Sequence, residues 1–162
     1  MKPEHVQPLD VFCAVITVST TRTKETDSSG KAIQEILAQA HLAVRYYEVV
    51  PDRIDAIRLE VLQALKTCNC IIVDGGTGLT HDDCTIEAVA PLLDKKIDGF
   101  GELFRLKSYE EIGTSSMLSR ALAGTVGGKA IFCIPGSTPA VTLATKTLIV
   151  PELLHILTHA NK

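Results

Sequence analysis

Tryptophan is absent from this 162-residue sequence, and aromatic residues of every kind make up only 4% of it. A stacking platform for nucleic-acid bases needs aromatic faces, so that mode of binding is excluded. Basic residues are not in excess either. The formal net charge is -3, which supplies no positive field for a phosphate backbone. No apolar run approaches the roughly 20 residues needed to cross a bilayer, and residues 1–7 lack the apolar centre of a signal peptide. No Cys-x-x-Cys pair offers zinc or redox chemistry. The five cysteines (Cys13, Cys68, Cys70, Cys84 and Cys133) are odd in number, which argues against a disulfide framework. These absences together predict a cytoplasmic protein with neither nucleic acid nor membrane as partner.

Hydrophobic residues make up 46% of the chain and charged residues 22%, enough for one well-packed domain. Residues 11–18 form a continuous apolar run with β-branched members, which suits a strand buried on both faces. Residues 19–26 are polar and loop-like. Ser28 or Ser29 is placed to cap a helix whose apolar positions are Ile33, Ile36, Leu37 and Ala40. A second strand follows over 44–50. Pro51-Asp52 then turns the chain into a helix carrying Ile54, Ile57, Val61, Leu62 and Leu65. Residues 70–73 read as a third strand running straight into Gly75-Gly76-Thr77-Gly78. The segment 83–122 reads as mostly helical with a break around 95–99, where Lys95 and Lys96 suit a solvated turn. Residues 129–134 are the last clear strand, and Pro135-Gly136-Ser137 leads into a helical stretch through about His159. Alternating strands and helices predict a single three-layer α/β/α domain, with a mostly parallel, open, Rossmann-like sheet over 11–162 and an N-terminal extension over 1–10.

Ligands of open parallel sheets bind beyond the carboxyl ends of the strands. That rule selects residues 19–30, 51–52, 74–85 and 135–138, four segments that would meet in one cleft. In Gly75-Gly76-Thr77-Gly78, successive backbone N–H groups can form an anion-binding nest, and a helix starting near Asp82 or Asp83 would add its positive end. Asp83 and Asp52 each read either as a helix cap or as a ligand. Two such carboxylates at neighbouring loop ends suit Mg²⁺ accompanied by phosphate oxygens. Ser137 can cap a helix or bind phosphate, and the segment Asp27-Ser28-Ser29-Gly30 reads first as a capped helix start. His155 and His159 lie one helical turn apart, a spacing seen at zinc sites, but near a helix end they read as structural.

Taken in order, five motifs carry a resemblance. They are Asp27-Ser28-Ser29-Gly30, Val50-Pro51-Asp52, the loop Gly75-Gly76-Thr77-Gly78 with Asp83, Thr85 and Glu87, Met117-Leu118-Ser119-Arg120-Ala121, and Pro135-Gly136-Ser137. Together the chain resembles the MoaB/Mog family of molybdenum cofactor biosynthesis proteins over nearly its whole length. Residues 99–105 and 110–113 look most like the MoaB branch. The resemblance implies a molybdopterin-binding domain assembled as a homotrimer or a hexamer of trimers. It further implies adenylylation of molybdopterin by Mg²⁺ and ATP with release of pyrophosphate; the alternative is a non-catalytic molybdopterin carrier or scaffold. It assigns Asp52 and Asp83 to catalysis and the metal. Ligand binding falls to Ser19, Asp27, Ser28, Ser29, Gly30, Gly75, Gly76, Thr77, Gly78, Thr85, Ser119, Pro135, Gly136 and Ser137. The chain departs from the family at Asp82, where many relatives carry Arg, and at Ile86, where many carry Pro.

Overall fold

The computed structural model describes residues 8–162, so most of the expected N-terminal extension lies outside the described residues. Six strands form one sheet: β1 (Phe12–Val18), β2 (Ala43–Val50), β3 (Cys70–Asp74), β4 (Lys95–Lys96), β5 (Leu122–Val126) and β6 (Lys129–Ile134). Their order across the sheet is β2-β1-β3-β6-β5-β4. The first four are mutually parallel; β5 runs antiparallel to β6, and β4 antiparallel to β5. Six α-helices cover it: α1 (Ser28–Gln39), α2 (Ile54–Ala64), α3 (Thr85–Val89), α4 (Asp98–Ile112), α5 (Thr138–Ala144) and α6 (Val150–Ala160).

Side chains alternate across a strand, and here both faces are covered. Cys13 and Val15 of β1, Cys70 and Ile72 of β3, and Phe132 and Ile134 of β6 join one buried cluster with Ile33, Phe104, Ile149 and Leu153. Ala14 and Ile16, Ile71 and Val73, and Ile131 and Cys133 point the other way, into a cluster with Ile57, Val61 and Val89. This is the expected three-layer α/β/α arrangement, and Cys13 and Cys133 are fully buried within it. All five cysteines are free.

Residues 83–122 are mostly helical, as expected, through α3, α4 and two short 3₁₀ turns. Several local expectations are corrected. The break at Lys95–Lys96 is an edge strand pairing with β5, whose short sequence Leu-Ala-Gly-Thr-Val carries little alternation. The two lysines are exposed, as befits an edge that discourages further pairing. Ile54 and Leu62 of α2 face outward, leaving Ile57, Val61 and Ala64 as its buried face. From α5 to α6 the chain is helical over 23 residues, Thr138–Ala160, long and apolar enough by length and composition to span a membrane. That is more than the sequence runs suggested. Its apolarity has a local cause, because Val141, Ala144, Ile149, Leu153 and Leu157 are fully or almost fully buried against the sheet. His155 and His159 pack edge to face with ring centroids 4.7 Å apart, and His155 Nδ1 lies 3.0 Å from Glu152 Oε2.

Candidate functional site

The parallel strands β1, β2, β3 and β6 end together at Val18, Val50, Asp74 and Ile134, and the predicted loops leave from that edge. The Ser19 N–H donates to the Val50 carbonyl at 2.8 Å, joining the first loop to the one carrying Asp52. Ser19 Oγ accepts from the N–H groups of Thr21 and Arg22, turning the first loop sharply. The Gly75 N–H donates to the Ile134 carbonyl at 3.0 Å, joining the glycine loop to the Pro135-Gly136-Ser137 turn.

Gly75 and Gly76 have φ of 90° and 64°, conformations that favour glycine. Both are also packed tightly. A β-carbon on Gly75 would lie 2.4 Å from the Val18 carbonyl oxygen, and one on Gly136 only 2.9 Å from the Gly75 Cα. Close packing between loops therefore demands these glycines, in addition to any ligand. Thr85 pins the loop from the far side: its Oγ1 donates to the Gly75 carbonyl at 2.7 Å and its N–H to the Gly76 carbonyl at 2.9 Å. Thr77 is buried.

Asp52 and Asp83 are not helix caps. The residue before α2 is Arg53, and no side chain caps that helix. Asp52 instead stands against the glycine loop, its Oδ1 3.3 Å from where a Gly76 β-carbon would be. Helix α3 begins at Thr85 rather than near Asp82 or Asp83, and at five residues it offers little dipole. Asp83 accepts from the Thr80 N–H at 2.9 Å and from Thr80 Oγ1 at 2.7 Å, folding the tail of the loop back toward Gly78. Burial raises the Asp83 pKa, but the Thr80 hydrogen bonds and nearby Arg120 outweigh it and hold the carboxyl below its usual range. Asp52 lines a cavity of about 520 Å³ with Arg53, Arg58, His81, Asp82 and Cys84, so Asp82 shares its space.

Asp27, rather than Ser28 or Ser29, caps α1, accepting from the Gly30 N–H at 3.0 Å. Ser28 Oγ meets Thr138 Oγ1 at 3.3 Å across the cleft wall. Ser137 caps α5 through the Ala140 N–H. A side chain at Gly30 would collide with Asp27.

Four polar residues that the sequence did not single out organise this edge. Arg22 Nη1 donates to Ser29 Oγ at 2.6 Å and to the Gly136 carbonyl at 3.1 Å, so one cation ties two loops. Thr17 and Asp74 are fully buried between them. Burial pushes the Asp74 carboxyl up to about 6, while Ser29 and Thr17 pull it down. Burial also raises Asp27, but hydrogen bonds from Thr17, the Gly30 N–H, Tyr47 and Ser29 leave it below its ordinary value. Arg120, quoted above only as part of a motif, holds the glycine loop. Its Nε donates to the carbonyls of Thr77 and Gly78, both at 3.0 Å, and its other nitrogens reach the Asp83 carbonyl and Glu87. This bond brings the Ser119 segment against the cleft. The signals available in sequence were a threonine inside an apolar strand and a charged residue closing another.

Another cavity, about 730 Å³, lies away from this edge, between β4, β5 and the end of α6. The strand-end cleft remains the candidate, because two glycine turns, the carboxylates of Asp27, Asp52, Asp74 and Asp83, and Arg22 converge there.

The fold that carries this edge is that of the molybdopterin-binding domain family. The sequence matches the family described as "Probable molybdopterin binding domain" over residues 14–155, and the chain belongs to that molybdenum cofactor biosynthesis family. It is 51% identical over 152 residues to the Molybdenum cofactor biosynthesis protein B of Bacillus cereus, covering 92% of this chain and 90% of that one. The counterpart from Bacillus subtilis is 45% identical over 164 residues, with 98% and 96% covered. A crystal structure of Molybdenum cofactor biosynthesis protein B superposes with a TM-score of 0.91 at 49% identity, covering 96% of this chain and 98% of that chain. The tungsten cofactor synthesizing protein MoaB from Pyrococcus furiosus follows at a TM-score of 0.87 and 37% identity, with 96% and 100% covered.

Proposed function

We propose that the strand-end cleft binds molybdopterin and ATP, and that the chain transfers AMP to molybdopterin. An oxygen of the molybdopterin phosphate forms the new bond to the α-phosphorus of ATP, and the bond from that phosphorus to the bridging oxygen breaks, releasing pyrophosphate. A phosphate monoester is already anionic near neutral pH, so no general base is required. Rate would come from positioning and from stabilising charge on the transferring group.

The observation that carries this reading is the flanking of one glycine loop by two carboxylates. Asp52 stands at Gly76, and Asp83 at Gly78. Among the described residues no three His, Cys, Asp or Glu side chains gather closely enough to hold a metal alone. That fits Mg²⁺ arriving with a nucleotide, since Mg²⁺ takes one or two carboxylates and completes its shell with phosphate oxygens and water. Asp52 and Asp83 would hold it, and the ion would neutralise phosphate charge. The backbone N–H groups of Gly76 and Thr77 and the Gly136 turn would provide donors for anionic groups. The test is direct detection of adenylyl-molybdopterin made from molybdopterin and MgATP.

A second reading, a non-catalytic molybdopterin carrier, is favoured by Asp82. It adds negative charge to the cavity that Asp52 lines, where a triphosphate would need cations. Molybdopterin binding without consumption of ATP would select it.

The same proposal includes self-association, for which the exposed apolar residues of α4 and the turn after it give the physical reason. Leu103, Leu106, Tyr109, Ile112, Met117 and Leu118 are each at least half exposed. A homotrimer, or a hexamer of trimers, would bury this strip in closed cyclic contacts. The C-terminal helical stretch is a poorer basis for assembly, because Ile149 and Leu153 belong to the chain's own core.

A further inference from the structure

Asp74 ends β3 inside a hydrogen-bond cluster that has more contacts than hydroxyl hydrogens. Thr17 Oγ1 lies 2.7 Å from Asp27 Oδ2 and 2.8 Å from Asp74 Oδ2. Ser29 Oγ lies 3.1 Å from Asp27 Oδ1 and 2.6 Å from Asp74 Oδ1. Each hydroxyl carries one hydrogen, and an ionised carboxylate carries none. With both aspartates ionised, two of these four contacts would set bare oxygens against each other in a site closed to water. One proton on Asp74 resolves most of the conflict. Asp74 Oδ2–H donates to Thr17, Thr17 donates to Asp27, and Ser29 donates to Asp74 Oδ1. The three shortest contacts then each hold a hydrogen.

The surroundings place that proton on Asp74 rather than Asp27. Asp27 also accepts from the Gly30 N–H at 3.0 Å and from Tyr47 Oη at 2.7 Å, and Arg22 Nη1 lies 3.7 Å away. All three favour its anion. The titratable and charged groups facing Asp74 are Asp27 from the start of α1, Arg22 from the first loop and Tyr47 from β2; Lys24 lies over the Tyr47 ring and pairs with Glu48 further out. Helix α1 also contributes Ser29 and β1 contributes Thr17, both neutral, while β6 and its turn present backbone and apolar groups.

We propose that Asp74 is a positioning residue that holds one proton for the Thr17–Ser29 relay, and that this proton sets the charge beneath the glycine turns and the seat of Arg22. With the proton in place, Asp27 and Arg22 cancel, and Arg22 bridges Ser29 to the Gly136 turn. Without it, the floor carries a net negative charge that draws Arg22 inward and weakens the hold on an anionic group. Naming that group as a phosphorylated substrate rests on the proposed function.

The test begins with the free, full-length chain, carrying ¹³C at its aspartate carboxyls and titrated by NMR from pH 4 to 8. One carboxyl should titrate near neutrality, assign through bonds to Asp74 and vanish in Asp74→Asn, while Asp27 stays ionised. An Asp74 signal already ionised at pH 4 overturns the proposal, and the wild-type titration decides this even if a variant misfolds. In the adenylylation assay the KM for phosphorylated substrate should rise several-fold from pH 6 to 8 in wild type and stay flat in Asp74→Asn, with kcat little changed. Parallel KM profiles in the two proteins overturn the coupling. Failure to adenylylate at all counts against the proposed function, not against the proton, which is read without ligand.

Discussion

Asp52 stands 3.3 Å from the place where a β-carbon on Gly76 would be, so a carboxylate and a backbone that requires glycine share one wall of the cleft. This contact separates chemistry from folding at Asp52, whose side chain caps no helix. Asp52→Ala is expected to leave the melting temperature within a degree or two and to cut adenylylation by about two orders of magnitude, the scale of losing one charge-stabilising group. Equal losses of stability and rate per folded molecule would assign Asp52 to the scaffold.

Asp83 should behave differently. Its carboxylate clasps Thr80 through both the backbone N–H and the hydroxyl. Asp83→Ala should therefore cost about 1 kcal/mol of stability as well as turnover. Thermal melts paired with rates on the same samples separate the two effects, and unchanged stability would mean that the clasp is not needed to hold the loop.

Arg120 binds the carbonyls of Thr77, Gly78 and Asp83 and pairs with Glu87. A lysine cannot reproduce that fan of donors. Arg120→Lys and Arg120→Ala should both destabilise the protein, by about 1–3 kcal/mol on urea unfolding. They should also raise hydrogen exchange in the glycine loop. Full rescue by lysine would reduce the role of Arg120 to that of a simple charge.

Asp74 gives stability a pH dependence with a definite sign. Its folded pKa is raised to about 6 by burial, above its ordinary value of 3.8. Between these values the unfolded chain loses the proton while the folded chain keeps it, so stability falls as pH rises through that window and then levels off. The contribution is on the order of 2–3 kcal/mol. Asp74→Asn should remove this slope and be more stable than wild type at pH 7, as followed by urea unfolding at pH 4, 5, 6 and 7. A slope identical in the two proteins would contradict this.

Much of this organisation was legible because the strands are buried on both faces. Strands β1, β3 and β6 advertise themselves as unbroken apolar runs, and the loops after them locate the cleft. β5 was missed because Leu122–Val126 has a glycine and a threonine among its five residues and pairs only in the folded sheet. The cap of α1 was displaced by one position, to Asp27, since adjacent polar residues at a helix start cannot be ranked without backbone geometry. Asp74 and Arg22 were missed for a stronger reason. Their significance lies in contacts spanning 45 and 114 residues, with Ser29 and Gly136. Gly76 reads in sequence as a place for close ligand approach. In the fold it also packs against Thr85 and Val18, so a valine there would disturb folding together with binding.

The exposed strip on α4 predicts assembly independently of catalysis. Leu106→Glu with Met117→Glu should lower the oligomer mass in light scattering while the circular dichroism of the chain is retained. An unaltered mass would move the interface elsewhere, and a monomer for the unmodified chain across a wide dilution range would remove self-association from the account.

One incubation decides whether the chain transfers AMP to molybdopterin. The purified chain is mixed with molybdopterin, saturating MgATP and inorganic pyrophosphatase, and the pterin products are separated and weighed by mass spectrometry. Adenylyl-molybdopterin is the expected product, formed in proportion to protein and lost in Asp52→Ala. Molybdopterin retained by the protein, with no adenylylated product at any MgATP concentration, would contradict that transfer and leave the chain a carrier.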